Sequence, residues 1–349
     1  MKVLFVTDLH GTTWKYERLL RIAQALRVEA VISGGDMLPK SGDLFDQDKF
    51  IVHYLDQHLA QFEAAGIYYL CYLGNDDLRI FSDLFDETCD RYAHVVNLAQ
   101  RSFKIGDYEF VGMNWVADYP FRLKDWCRMD TQDYVFQEQL GPGLLSTRQG
   151  WRELDDWFAY ARTLPTLEDE LARLVRPADM ERAIYVIHMP PYRLGLDKCA
   201  DGLEVGSKAV YDFLLENQPL LALHGHIHEA PEISGRWYAT LGRTICIQPG
   251  QLTPLTYVTI DLEPMNFDRH LIFQATRPLG SETRVDDNDD VGLGGCRLRK
   301  RGCPKSPVRE NCAPEPVLSL PKESVRGEGG QLPSLPRRPL VVKLRQSPS

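Results

Sequence analysis

The chain has 349 residues, of which 44% are hydrophobic, 26% charged and 10% aromatic. That length allows one large domain or two ordinary ones with a sizeable core, and the composition excludes collagen-like, disulfide-scaffold and wholly disordered classes. The net charge of −9 is divided unevenly: from Gly280 onward there are 13 basic and 9 acidic residues, a balance of +4, which leaves −13 for the first 279.

The apolar run Val3 to Val6 predicts a first strand, and the pattern from Trp14 to Arg27 predicts a helix after it. A second strand, Ala30 to Ser33, runs into Gly34, Gly35 and Asp36. A helix is expected from Phe45 to Ala65, then a third strand, Ile67 to Leu73, running into Gly74, Asn75 and Asp76. In open α/β sheets ligands sit beyond the carboxyl ends of the strands, so these three tips should meet at one crevice. Short strands at Val95 to Asn97, Ser102 to Ile105 and Glu109 to Gly112 are spaced like a meander. Residues 113–179 hold four of the six tryptophans, Trp115, Trp126, Trp151 and Trp157. Helical patterns at Arg152 to Arg162 and Leu167 to Arg176 mark this segment as a helical insertion that packs on the core or overhangs the crevice. Strands resume at Ala183 to Ile187, ending at His188, and at Leu220 to Leu223, ending in H-G-H-I-H. Later strands are expected at Thr244 to Ile247, Tyr257 to Ile260 and Leu271 to Gln274. The domain therefore covers 1–279. The tail, 280–349, has nine prolines and eight glycines and no apolar period, and is expected to be disordered.

No run approaches the roughly 18 to 20 apolar residues of a membrane span, and the first apolar run stops at Asp8, too early for a secretory leader. Cys71, Cys89, Cys127, Cys199 and Cys246 are scattered, three more lie in the tail, and none forms a C-x-x-C pair. Buried thiols in a reduced compartment are expected, and the chain reads as cytoplasmic.

The polar residues at the strand ends are Asp8, His10, Asp36, Asn75, Asp76, His188, His226 and His228. All are metal-ligand types, and their mixed oxygen and nitrogen donors suit manganese, iron, zinc, cobalt or nickel better than magnesium or calcium. Seven of them exceed the need of one ion, whereas two ions sharing one carboxylate would use them all. Residues two apart on an extended segment point the same way, so Asp8 with His10 and His226 with His228 are each expected to aim together.

The ordered series D-L-H, G-G-D, G-N-D, H-M-P-P and G-H-I-H resembles the motifs of the calcineurin-like metallophosphoesterases over about residues 1–279. The resemblance implies an α/β (α+β) fold, a four-layer β-sandwich flanked by helices. It implies a centre of two divalent ions, manganese favoured, at which a bridging hydroxide attacks phosphorus in line. It further implies that Asp8, His10 and His228 hold one ion, that Asn75, His188 and His226 hold the other, that Asp36 bridges them, and that Asn75 lies near the phosphate. The family's third motif is usually G-N-H followed by an acid, and here it reads Gly74, Asn75, Asp76, Asp77. Asp76 could take over the missing histidine's proton transfer only with a raised pKa, while two cations would lower it.

A phosphodiester is the expected substrate, because its single negative charge is repelled less by Asp76 than a monoester dianion. The runner-up readings are a phosphomonoesterase and a metal-bearing scaffold that has lost hydrolysis. The acidic body disfavours nucleic acid and favours a small phosphoester. Among other basic residues, Arg193, Lys198, Arg122, Lys124 and Arg128 are open candidates for phosphate contact, and His224 for a supporting position behind the ligands. His53, His58, His94 and His270 read as surface or packed residues. Oligomeric state is not legible.

Overall fold

The computed structural model describes residues 1–274, and the tail of 280–349 lies outside the described residues. β1 (Lys2–Val6), β2 (Ala30–Ser33), β3 (Tyr68–Cys71) and β4 (Val95–Asn97) lie side by side and parallel. Helices Thr13–Leu26 and Ser82–Cys89 and a continuous helical stretch make the crossovers between them. That stretch consists of Gln47–Phe50, a π-helical Ile51–Leu55 and Asp56–Ala65. β5 (Ser102–Ile105) and β6 (Tyr108–Met113) form a hairpin. Next come a parallel pair, β7 (Val116–Ala117) with β8 (Cys127–Arg128), and a second hairpin, β9 (Gly143–Thr147) with β10 (Gly150–Leu154). The remaining strands are β11 (Ala183–Ile187), β12 (Leu221–Leu223), β13 (Tyr238–Leu241), β14 (Thr244–Ile247), β15 (Leu255–Leu262) and β16 (Met265–Ile272).

Two six-stranded sheets result, ordered β16-β15-β1-β2-β3-β4 and β13-β14-β12-β11-β6-β5. Their inner faces form one core: Val3, Phe5, Ile32 and Leu70 from the first sheet meet Phe110, Ile184, Val186 and Leu223 from the second. The alternate residues Leu4, Val6, Val31 and Tyr69 face outward under Tyr16, Leu19, Leu59 and Phe62 of the helices, and Tyr185 and Ile187 sit under Phe213 and Leu214. Both faces of the central strands are covered, which is why they read as unbroken apolar runs rather than alternating ones. This is the expected four-layer arrangement, two sheets between helices.

Some expectations differ from the structure. β4, β5 and β6 do not form a meander, because β4 closes one sheet while β5 and β6 belong to the other; Gln100, at φ 53°, turns the chain between them. Residues 113–179 are not simply helical. They contain helices Trp157–Ala161 and Leu167–Arg173, but Arg152 to Leu154, expected in a helix, pair in the β9–β10 hairpin, whose turn uses Gly150 at φ 107°. The helix begins only at Trp157, after Asp156, whose side chain accepts from Ala159 N as the cap. The last strand is β16 rather than Leu271 to Gln274, because an edge strand with one wet face shows only alternate apolar residues. Helix Lys208–Asn217 is not among the expected elements, although Ser207 caps it and Ala209, Val210, Phe213 and Leu214 form its buried stripe. Among the described residues no helix is long and apolar enough to cross a membrane. Cys71, Cys89, Cys127 and Cys246 are free and buried, whereas Cys199 is only half-buried.

Candidate metal centre

β1, β2, β3, β11 and β12 all end at the same edge of the two sheets, and the loops that leave them carry the eight polar residues. Asp8, His10 and Asp36 follow β1 and β2, Asn75 and Asp76 follow β3, His188 follows β11, and His226 and His228 follow β12. The pleat does not aim them. Asp8 and His10 lie beyond the end of β1, and Asp8, His10, Asp36 and His226 have φ of 57°, 44°, 51° and 71°. Left-handed backbone at non-glycine residues costs roughly 1–2 kcal/mol each. Here it is held by cross-loop hydrogen bonds: Asp8 N to Gly35 O at 3.0 Å, His10 N to Asp36 O at 2.9 Å, and His226 N to the Asp8 carboxylate at 3.2 Å. A side chain at Gly74 would collide with the Asp36 carboxylate, so the two loops can close only on glycine.

Two groups of donor atoms emerge. In the first, one ligand atom each from Asp8, His10, Asp36 and His228 lies within 4.8 Å of the others. Nε2 of His10 and Nε2 of His228 are 3.0 Å apart. In the second, Oδ1 of Asn75 is 2.9 Å from Nε2 of His188 and 2.5 Å from Nδ1 of His226. Asp36 touches both groups, with Oδ2 3.9 Å from His10 Nε2 and 3.5 Å from His188 Nε2.

This crowding of lone pairs is what a cation site requires. His188 donates from Nδ1 to Gly34 O at 2.6 Å, which leaves Nε2, facing the Asn75 oxygen, as the atom on which a cation would take the place of a proton. Oδ2 of Asp8 and Nδ1 of His10 are buried without a hydrogen-bond partner. The donors present therefore fit two ions sharing Asp36.

Burial works against charge on His188, but the Asp36 carboxylate beside it overcomes this and carries its pKa up to about 9. Burial would likewise raise Asp36, and His188 in turn holds it far below the usual carboxylate range. Burial pushes His10 down to about 4, and burial with the nearby His188 pushes His226 down to about 3, so both stay neutral and able to ligate. Asp76 is pushed up to about 7 by its burial and by the Asp36 charge. It accepts from Asn75 Nδ2 at 3.0 Å and lies 3.9 Å from Nδ1 of His10. Cations held by the adjoining ligands would pull its pKa back down.

Asp77, which has no place among the predicted ligands, is fully buried, and its carboxylate accepts from Gly74 N, Met37 N and Leu38 N. It ties the loop after β3 to the loop after β2. Its signal in the sequence is a second acid directly after G-N-D with no role in the ligand count. His224 is buried, with Nδ1 2.9 Å from Ile187 O and 3.1 Å from Met189 O, bracing the strand end that carries His188.

Beside the two groups opens a cleft of about 650 Å³ lined by Asp36, Asn75, Asp76, His226 and His228. Its outer wall comes from residues 117–121 and Gln137 of the tryptophan-rich segment, and its opposite side from residues 199–205 and Glu229. Of the basic candidates none lines it: Arg122 pairs with Glu153, Lys124 with Asp118, Arg128 with Glu170 and Arg193 with Glu204, and Lys198 is not among its lining residues although Cys199 is. Lys40 lines it instead, four residues beyond Asp36. His53 is exposed, His58 is buried among aromatic rings, His94 pairs with Glu63 and His270 stacks on Tyr257.

No curated protein matches the sequence. Among solved structures, one with 16% identity aligns over 78% of this chain and 98% of its own at a TM-score of 0.52. The TT1561 protein of Thermus thermophilus has 17% identity, 77% and 98% coverage and a TM-score of 0.49. A dimetal phosphatase from Danio rerio has 13%, 79% and 99%, and 0.44. At 16% identity the likeness to the first of these concerns the fold alone. The calcineurin-like phosphoesterase profile matches residues 1–230, about two thirds of the chain, over the segment that supplies all eight strand-end residues. The chain belongs to the calcineurin-like phosphoesterase family.

Proposed function

We propose that this chain hydrolyses a small phosphodiester at a centre of two divalent ions. Asp8, His10 and His228 would hold one, Asn75, His188 and His226 the other, and Asp36 both. Metal-dependent hydrolysis of phosphate esters is the chemistry of its family. When bound, the ions supply charge that offsets the phosphoryl oxygens and lowers the pKa of a water to near neutrality. The donor set, with three carboxylate or amide oxygens and four imidazoles, favours manganese among candidates that include iron, zinc, cobalt and nickel.

The single observation that carries the reading is the convergence of His188 and His226 on the Asn75 oxygen beside the Asp8, His10, Asp36 and His228 group. The preference for a diester rests on the charge of the cleft. Asp76, Asp201 and Glu229 line it, and Lys40 is its one Lys or Arg among the described residues. A monoanion meets less repulsion there than a dianion. Asn75 holds Asp76 through its amide N–H, so the carboxylate is turned toward His10 rather than free to swing away. The free cysteines agree with a reducing, cytoplasmic setting.

The test is hydrolysis of bis(4-nitrophenyl) phosphate beside 4-nitrophenyl phosphate by protein stripped with chelator and reloaded with manganese, with Asp36→Ala as the blank. Cleavage of the diester that requires metal and Asp36 supports the proposal. Preference for the monoester overturns the substrate assignment. Retention of two metal equivalents with neither ester cleaved overturns hydrolysis in favour of a scaffold.

A further inference from the structure

The outer wall of the cleft has an order that the metal ligands do not account for. The ring of His226 lies 5.8 Å from that of Tyr119, which lies 5.8 Å from that of Phe121, at interplanar angles of 47° and 53°. Tyr119 is buried, at 9% exposure, and Phe121 is 62% exposed. Three rings thus lead stepwise from a proposed metal ligand to solvent along one side of the cleft. Phe121 is a large aromatic at the rim with much of its ring bare, and Leu203, 61% exposed, lines the same cleft. Bare apolar side chains at the rim of a cleft that holds a few convergent polar groups are a mark of ligand contact rather than of core packing.

The wall is built to stay in place. Asp118 and Lys124 form an ion pair of 2.8 Å with both side chains wholly buried. Lys124 Nζ also donates to the Tyr119 carbonyl. Asp118 further accepts from Trp157 Nε1 at 2.8 Å and from Gln139 Nε2 at 3.0 Å. Tyr119 OH donates to Leu123 O at 2.8 Å. These ties hold the Tyr119 segment from within the wall, and they leave the exposed ring of Phe121 and the uncovered edge of Tyr119 for a ligand.

From this we infer that one ester substituent of the substrate is a planar, uncharged aromatic group, an aryl ring or a nucleobase, that packs along Tyr119 and Phe121. The inference rests on the phosphodiesterase reading and specifies its substrate class. Aromatic pairs prefer offset or edge-on packing worth about 0.5–1.5 kcal/mol, which is roughly a two- to tenfold gain in affinity. The acidic residues on the rest of the cleft exclude a substituent that carries further phosphates.

The experiment measures binding by calorimetry to the full-length, manganese-loaded protein, using phosphonate monoesters of one negative charge whose poor alkoxide leaving groups make cleavage slow. Methyl benzylphosphonate should bind three- to tenfold more tightly than methyl ethylphosphonate. Phe121→Ala should erase the difference, and Phe121→Leu should recover little of it. An adenosine methylphosphonate ester separates the two sources: if it outbinds the benzyl compound the group is a nucleobase, and if not, a simple aryl ring. Equal affinity of the benzyl and ethyl compounds, or a methyl octylphosphonate that binds best and is served as well by Phe121→Leu, overturns the aromatic assignment. Failure of all the phosphonates to bind overturns the phosphodiesterase reading beneath it, and so the two failures are distinguishable.

Discussion

The carboxylate of Asp77 accepts the backbone N–H of Met37 at 2.9 Å, from a loop 40 residues away in the chain. With Leu38 N at 2.8 Å and Gly74 N at 2.8 Å it answers three buried donors at once. Those loops carry Asp36, Asn75 and Asp76, so the spacing between the proposed ligand groups depends on a residue that touches neither.

Asp77→Ala should therefore lower stability by about 3 kcal/mol or more, since each orphaned buried donor costs roughly 1–3 kcal/mol. Thermal unfolding of the chelator-treated protein measures this. Asp77→Asn, which keeps one acceptor oxygen, should lose less. A variant with wild-type stability and metal content would remove Asp77 from this role.

Asp36 lies against both donor groups, and its loss should lower bound manganese from two equivalents to one or none, as read by plasma mass spectrometry. The same titration gives a stability readout. Metal at 100 times its dissociation constant should raise wild-type stability by about 2.7 kcal/mol per site and Asp36→Ala by less.

The ion pair of Lys124 and Asp118 has both side chains wholly buried, in the wall that bears Tyr119. Breaking it from one side leaves an uncompensated charge, so Lys124→Met should cost about 3–5 kcal/mol. Replacing both partners, as Lys124→Met with Asp118→Leu, should recover much of that. A single variant as stable as the wild type would show that the wall does not rely on the pair.

His58 is buried among Tyr16, Phe62 and Tyr69, with ring centroids 5.1, 5.1 and 5.9 Å away, and Nε2 has no hydrogen-bond partner. Burial holds its pKa down to about 4 from an ordinary 6.5. Between those values the unfolded chain takes up a proton that the folded chain refuses, so protonation favours unfolding. His58 should thus take away up to about 3 kcal/mol as pH falls from 6.5 to 4, with no further loss below. His58→Phe should flatten that part of the pH–stability curve measured by urea unfolding, and leave the curve unchanged above pH 7. An identical slope in the variant would place the titration elsewhere.

Asp76→His should raise turnover of a monoester relative to a diester, because it replaces a negative charge beside the phosphate with a group able to donate a proton. The ratio of kcat/KM for the two 4-nitrophenyl esters checks it, and a ratio unmoved by the substitution would exclude Asp76 from contact with the phosphate.

The sequence by itself determined the strands of the inner core and the identity of the strand-end residues. A strand buried on both faces must be apolar throughout, and the polar residue that ends it must lie at the sheet edge. Asp8, Asp36, Asn75, His188 and His226 were legible for that reason. What aims them was not. Left-handed turns at Asp8, His10, Asp36 and His226 are stabilised by hydrogen bonds between loops far apart in sequence, and no local pattern encodes them. Asp77, Lys40 and the ring series from His226 to Phe121 were likewise settled only by tertiary structure. Asp77 draws its meaning from Met37 and Tyr119 from His226, neighbours many residues away, whereas periodicity reports only whether a position is buried or exposed.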